Sequence, residues 1–227
     1  MQAIHTAFLL CALVGIASGG SVCYQKLTDA QTAFNTALGI SGLDWFNDQS
    51  LWNLVETKYM NDVPHGFRSV CSAVKAYKKV LNFDYLRCVN VVELIRNDDG
   101  TASNVSLPQA IQYIGFINHF DFTCGAGFGI FANSPNDCIG QVFNTSAVAL
   151  GQCRANLKTQ LTGSTDPSMA CTYIKDFTLC YQNQFKPCGP IAEYFGCEYG
   201  RVPSISTFPY CADVATNCHV VVNQHNH

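Results

Sequence analysis

Cysteine spacing constrains this chain more than any other feature. The 227 residues hold thirteen cysteines, and no two fall at the Cys-x2–4-Cys separation that a structural zinc site uses. One of them, Cys11, sits in an N-terminal segment that reads as a secretory signal peptide spanning residues 1–20. An apolar run over 7–17, too short to span a bilayer, ends in small residues, with cleavage expected after Gly19 or Gly20. Loss of that segment leaves twelve cysteines: Cys23, Cys71, Cys88, Cys124, Cys138, Cys153, Cys171, Cys180, Cys188, Cys197, Cys211 and Cys218. An even set in an exported chain reads as a disulfide framework, with room for six bridges whose connectivity the count leaves open.

Four of these cysteines lie between 171 and 197, with Pro187 and Gly189-Pro190 in the second half of that stretch. Residues 172–184 contain no Gly or Pro and read as helix, and Pro190 suits the first turn of a second one. The segment therefore predicts an αα-hairpin. Cys171 and Cys180, nine residues apart, would lie on opposite helix faces with Cα atoms roughly 13 Å apart at 1.5 Å rise per residue. A disulfide needs them within about 7 Å. They cannot bond each other, and the same holds for Cys188 and Cys197. Rungs 171–197 and 180–188 would suit the symmetry about Gln184, but opposite faces argue against both forming. At least one pair is expected to reach elsewhere, making the hairpin a hub.

The rest of the chain reads as helix interrupted by loops. Val22–Leu38 carries an apolar stripe of Val22, Leu27, Ala30, Phe34 and Leu38, and Gly39 ends it. Residues 48–60 form a second helix, with Asp48 at its N-cap and Leu51, Trp52, Val55 and Tyr59 inward. Residues 67–96 read as two helices joined near Asn82-Phe-Asp84, with Asp84 capping the second. Phe67, Val70, Val74 and Tyr77, then Leu86, Val89, Val92 and Ile95, are the expected core positions. Further helices are expected over 106–120 and 146–161, and a short helix or turn over 138–143. Residues 122–131, with three glycines, are expected to form a buried turn tied by Cys124, and the chain after Gly200 to be irregular. The fold class is all-α: a disulfide-rich array of about six to eight helices with an irregular C-terminal tail. One braced domain is expected over 21–218, followed by a flexible stretch at 219–227. Asn104 and Asn144 head N-glycosylation triplets.

The formal charge is −3 with interspersed signs, which gives no basic footprint for nucleic acid. No later segment reaches membrane-spanning length. Phe122-Thr-Cys-Gly-Ala-Gly-Phe128, Asn136-Asp-Cys138-Ile139 and the Val70-Cys71 to Tyr85-Leu-Arg-Cys88 segment, together with the twelve-cysteine set, resemble the secreted roundworm family called domain of unknown function nineteen. The resemblance implies export, a disulfide-braced, mostly helical module and no assigned activity. It supplies no catalytic residue. A further cysteine that often falls between the positions of Cys71 and Cys88 in that pattern is missing here.

Candidate chemistry is sparse. His119 and Asp121 could pair as base and orienting carboxylate, but a polar pair at a helix end is ordinary. Gly125-Ala-Gly-Phe-Gly129 lacks the Lys-Ser/Thr of a phosphate cradle. His219, His225 and His227 would bind a metal only adventitiously. Cys124, near His119, is expected to be consumed in a bridge rather than free. No catalytic residue, cofactor or metal site is assigned. The expectation is a secreted, non-enzymatic module whose partner is an extracellular protein. The alternative is a carrier of a small apolar ligand, its cavity lined by Phe116, Phe120, Phe122, Phe128, Phe131 and Phe143.

Overall fold

The computed structural model describes residues 22–41, 43, 45–46, 48–61, 65–213 and 217–219. The signal-peptide segment, His225 and His227 lie outside these residues. So do the Asp48 side chain, and with it the expected cap, and nearly all of the expected C-terminal flexible stretch. The described residues are all-α, with one isolated antiparallel bridge between Arg96 and Ala102. The helices are α1 (Val22–Leu38), α2 (Asp48–Asn61), α3 (His65–Leu81), α4 (Tyr85–Cys88), α5 (Val91–Ile95), α6 (Leu107–Thr123), α7 (Ala126–Ala132), α8 (Cys138–Thr145), α9 (Ala147–Gly163), α10 (Ala170–Phe185) and α11 (Pro190–Thr207).

Helix α1 packs on α3, α9 on α10, and α11 lies between α10 and α6. One apolar cluster, running from Cys23 to Tyr199 in sequence, joins them. Each helix contributes a stripe at 3.6-residue spacing, as Leu27, Ala30, Phe34 and Leu38 do in α1. Aromatic rings fill the centre: Phe67 stacks on Phe131 at 3.8 Å, and Phe143 packs against Tyr59, Phe185 and Tyr199. Phe116, Phe120, Phe131 and Phe143 are plain core, packed against neighbouring rings.

All twelve cysteines are bonded, with Cα separations of 4.9–5.9 Å. Cys23–Cys88 ties α1 to α4, and Cys71–Cys124 ties α3 to the end of α6. None of the four hairpin cysteines pairs with another. Cys180 joins Cys153 of α9, Cys188 joins Cys138 of α8, Cys171 joins Cys211, and Cys197 joins Cys218. Opposite helix faces send each sulfur to a different neighbour, so the α10–α11 hairpin is the hub of the second half.

Three sequence expectations need correction. The glycine-rich segment is not a turn: α6 runs to Thr123, and α7 occupies 126–132. The bend between them falls at Gly125, where a Cβ would stand 2.4 Å from the Asp121 carbonyl oxygen. The Cys71–Cys124 bridge and the stacking of Phe131 on Phe67 hold a helix that its glycines alone would disfavour.

The chain after Gly200 is also helical. Helix α11 continues through Pro203 to Thr207. Packing against α6 outweighs the proline cost of about 3 kcal/mol: Gly115 lets the Pro203 carbonyl approach so closely that a Cβ there would meet it at 3.1 Å.

The break at 82–84 is where the sequence places it, but two short helices, not one, lie beyond it. Asn82 adopts a left-handed φ of 46°, and Asp84 makes no side-chain cap. The cap falls to Asn90, whose side chain accepts from the Val92 amide. The phase shifts with it: Leu94 is buried, whereas Leu86 and Val92 point to solvent.

Candidate functional site

His119 and Asp121, set aside above as a catalytic pair, do not meet. Asp121 lies on the outer side of α6, paired with Lys78 and accepting from the Tyr85 hydroxyl at 2.8 Å. His119 points the other way and is 0% exposed, its ring 4.4 Å from Trp52 and 4.3 Å from Tyr199. Burial pulls its imidazole down to about 3, opposed only by the Tyr199 main chain, so the ring is neutral near pH 7. Pro203, four residues beyond Tyr199, has no N–H to offer that carbonyl. Neither ring nitrogen makes a hydrogen bond of good geometry. The ring is a core aromatic, not a base.

The polar centre that does form was not singled out by the sequence. Glu56 of α2 and Arg154 of α9 meet in the interior, with Arg154 Nη1 donating to Glu56 Oε2 at 2.6 Å and to the Tyr181 hydroxyl at 2.7 Å. The Tyr181 and Tyr199 hydroxyls donate to Glu56 Oε1 at 3.1 and 3.4 Å. Arg154 Nη2 reaches Asn53 Oδ1 at 3.3 Å, and its guanidinium lies 6.0 Å from the Trp52 ring centre. Burial pushes the Glu56 carboxyl up despite the arginine and the tyrosine hydroxyls, which pull it down. A signal was present: Glu56 falls on the stripe of Trp52, Val55 and Tyr59, and Arg154 falls in line with Leu150, Leu157 and Leu161. A charge on an apolar stripe asks for a partner inside.

Above this pair opens a cleft of about 330 Å³. One wall is a face of α9, with Arg154, Leu157, Lys158 and Leu161 following the i, i+3, i+4, i+7 pattern. Ile174 and Phe177 of α10 form the floor. Pro203, Ser204 and Thr207 of α11 and Phe208 beyond it line a further side, and Trp52 of α2, Gln112 of α6 and Thr162 of α9 complete the lining. The cleft is held by two bridges, Cys153–Cys180 joining α9 to α10 and Cys171–Cys211 fixing the segment after Phe208. Among the described residues, no group of three or more His, Cys, Asp or Glu could hold a metal ion.

A second feature is an apolar corner. Phe83 is 95% exposed and Leu86 86% exposed, with Val80 beside them at the end of α3. Asn104 and Asn144, the two triplet asparagines, are both exposed.

No family model, curated protein or solved structure matches the chain. No described helix is long and apolar enough to cross a membrane.

Proposed function

We propose that this chain is a secreted, non-enzymatic extracellular module that carries a small apolar ligand in the α9–α10–α11 cleft. The observation that carries this reading is the cleft itself. At about 330 Å³ it falls within the range of small-molecule sites. Its lining is mainly apolar, with Leu157, Leu161, Ile174, Phe177 and Phe208, and includes the hydroxyls of Thr162, Ser204 and Thr207. Disulfides flank it, so the apolar walls stay apart when empty. The six bridges support the extracellular assignment, because such frameworks persist in oxidising compartments. The separation of His119 from Asp121 supports the non-enzymatic part. The resemblance to the twelve-cysteine roundworm family is carried as part of the proposal and rests on cysteine spacing.

A second reading, docking of an extracellular protein, is favoured by the exposure of three large apolar side chains close in sequence, Val80, Phe83 and Leu86. Titration with an uncharged environment-sensitive dye separates the two. The carrier reading expects saturable fluorescence at one dye per chain, abolished by Leu161→Trp and untouched by Phe83→Ser. Loss with Phe83→Ser and persistence in Leu161→Trp would overturn it in favour of the corner.

A further inference from the structure

The cleft is apolar along its floor but not electrically neutral at its mouth. Among its lining residues there is no aspartate or glutamate, and there are two cations, Arg154 and Lys158. They are not equivalent. Arg154 is matched in charge by Glu56, and its Nη donors go to Glu56, Tyr181 and Asn53, which leaves only its buried Nε without a hydrogen bond. Lys158, one turn further along the same face of α9, is exposed and makes no ion pair with any described carboxylate. Lys158 is therefore the uncompensated charge among the lining residues, which also include the exposed Gln112 of α6. Leu157 and Leu161 flank Lys158 on the same helix, and Phe177 and Phe208 face them across the cleft. The site offers one exposed, unmatched cation beside a lining that is mainly apolar.

From this we infer that the ligand is a single-chain lipid with an anionic head, of which a free long-chain carboxylate is the simplest case. The inference rests on the carrier reading above and narrows its ligand class. The alkyl chain lies against Leu157, Leu161, Ile174 and Phe177, each methylene withdrawn from water adding favourably to binding. The carboxylate meets the Lys158 ammonium and the Gln112 amide at the rim. There it keeps partial contact with water, so it avoids the cost of burying an unpaired charge. The Glu56–Arg154 pair ties α2 to α9 beside the cleft, and its matched charges leave Lys158 as the attracting group.

The test is calorimetric titration of the disulfide-intact protein with dodecanoate and with 1-dodecanol, which share a chain and differ in the head. The structure predicts one site, about tenfold tighter for the acid, as expected for a single charge-assisted contact. Lys158→Glu, a change at an exposed position that the fold tolerates, is expected to erase that preference while leaving the alcohol bound. Leu161→Trp, which fills the cleft, is expected to remove both ligands. Equal affinity for acid and alcohol, with both lost in Leu161→Trp, would overturn the anionic-head inference and leave the carrier reading standing. Absence of binding by either compound, or binding unaffected by Leu161→Trp, would overturn both.

Discussion

Glu56 and Arg154, 98 residues apart in sequence, are joined inside the protein by a 2.6 Å contact between Oε2 and Nη1. Neither side chain is more than 11% exposed. Each is placed by its own helix on an apolar stripe, and each is tolerable there only because of the other. Removing one partner of such a pair costs about 3–5 kcal/mol, whereas replacing both by apolar or neutral groups of similar volume is far milder. Arg154→Met is therefore expected to lower stability by about that amount in chemical denaturation. The double variant Glu56→Gln with Arg154→Met is expected to recover part of it. Additive losses would mean that the pair is not coupled.

His119 gives the molecule a defined acid sensitivity. Its folded value is depressed to about 3 from an ordinary 6.5. The unfolded chain takes up a proton near 6.5 while the folded one refuses it down to about 3. The stabilisation from a neutral, buried His119 is complete above pH 6.5 and is lost progressively as pH falls through that window, by at most about 1.4 kcal/mol per pH unit. Denaturant melts at pH 7 and pH 5 are expected to show this loss in the wild type and a shallower one in His119→Phe, which keeps a ring between Trp52 and Tyr199. An unchanged pH dependence in the variant would assign the sensitivity to other groups.

The hairpin sulfurs supply a covalent prediction. Peptide mapping of unreduced protein is expected to recover Cys153 with Cys180, Cys138 with Cys188, Cys171 with Cys211 and Cys197 with Cys218. A peptide joining Cys171 to Cys197, or Cys180 to Cys188, would contradict the hub arrangement. Replacing Cys153 and Cys180 together by alanine is expected to cost about 2–4 kcal/mol.

Both triplet asparagines are exposed, Asn104 before α6 and Asn144 near the end of α8. Expression in a eukaryotic secretory host is expected to give a mass that falls by two glycans on enzymatic deglycosylation. The Asn104→Gln and Asn144→Gln variants are each expected to lack one. A deglycosylation-insensitive mass would show that neither triplet is used.

Much of this fold is legible in the sequence, for local reasons. The stripe Phe67, Val70, Val74 and Tyr77 is buried as its spacing requires. Pro190 starts α11, and Ser106 with Gln109 forms the capping box that opens α6. Where the sequence misleads, tertiary contacts override a local preference. Gly127 and Gly129 lie within a helix because Cys124 is anchored to Cys71 and Phe131 lies on Phe67. Pro203 lies within α11 because Gly115 of α6 admits its carbonyl. Leu86, inward by spacing alone, is outside because Asn82, at positive φ, resets the helical phase. The cleft is not legible, since its lining comes from five helices, α2, α6, α9, α10 and α11, that only the fold brings together. The charges on the stripes of α2 and α9 are the one local hint that something polar lies between them.

Occupancy of the cleft in the protein's own setting is the central claim. Native mass spectrometry of protein purified from its source, without exposure to detergent or organic solvent, tests it most directly. The predicted spectrum holds a population heavier than the disulfide-bonded, glycosylated chain by a single small molecule, which is released on denaturation and whose affinity for the protein falls with Leu161→Trp. A spectrum holding only the bare chain, which remains bare after incubation with single-chain lipids, would contradict it.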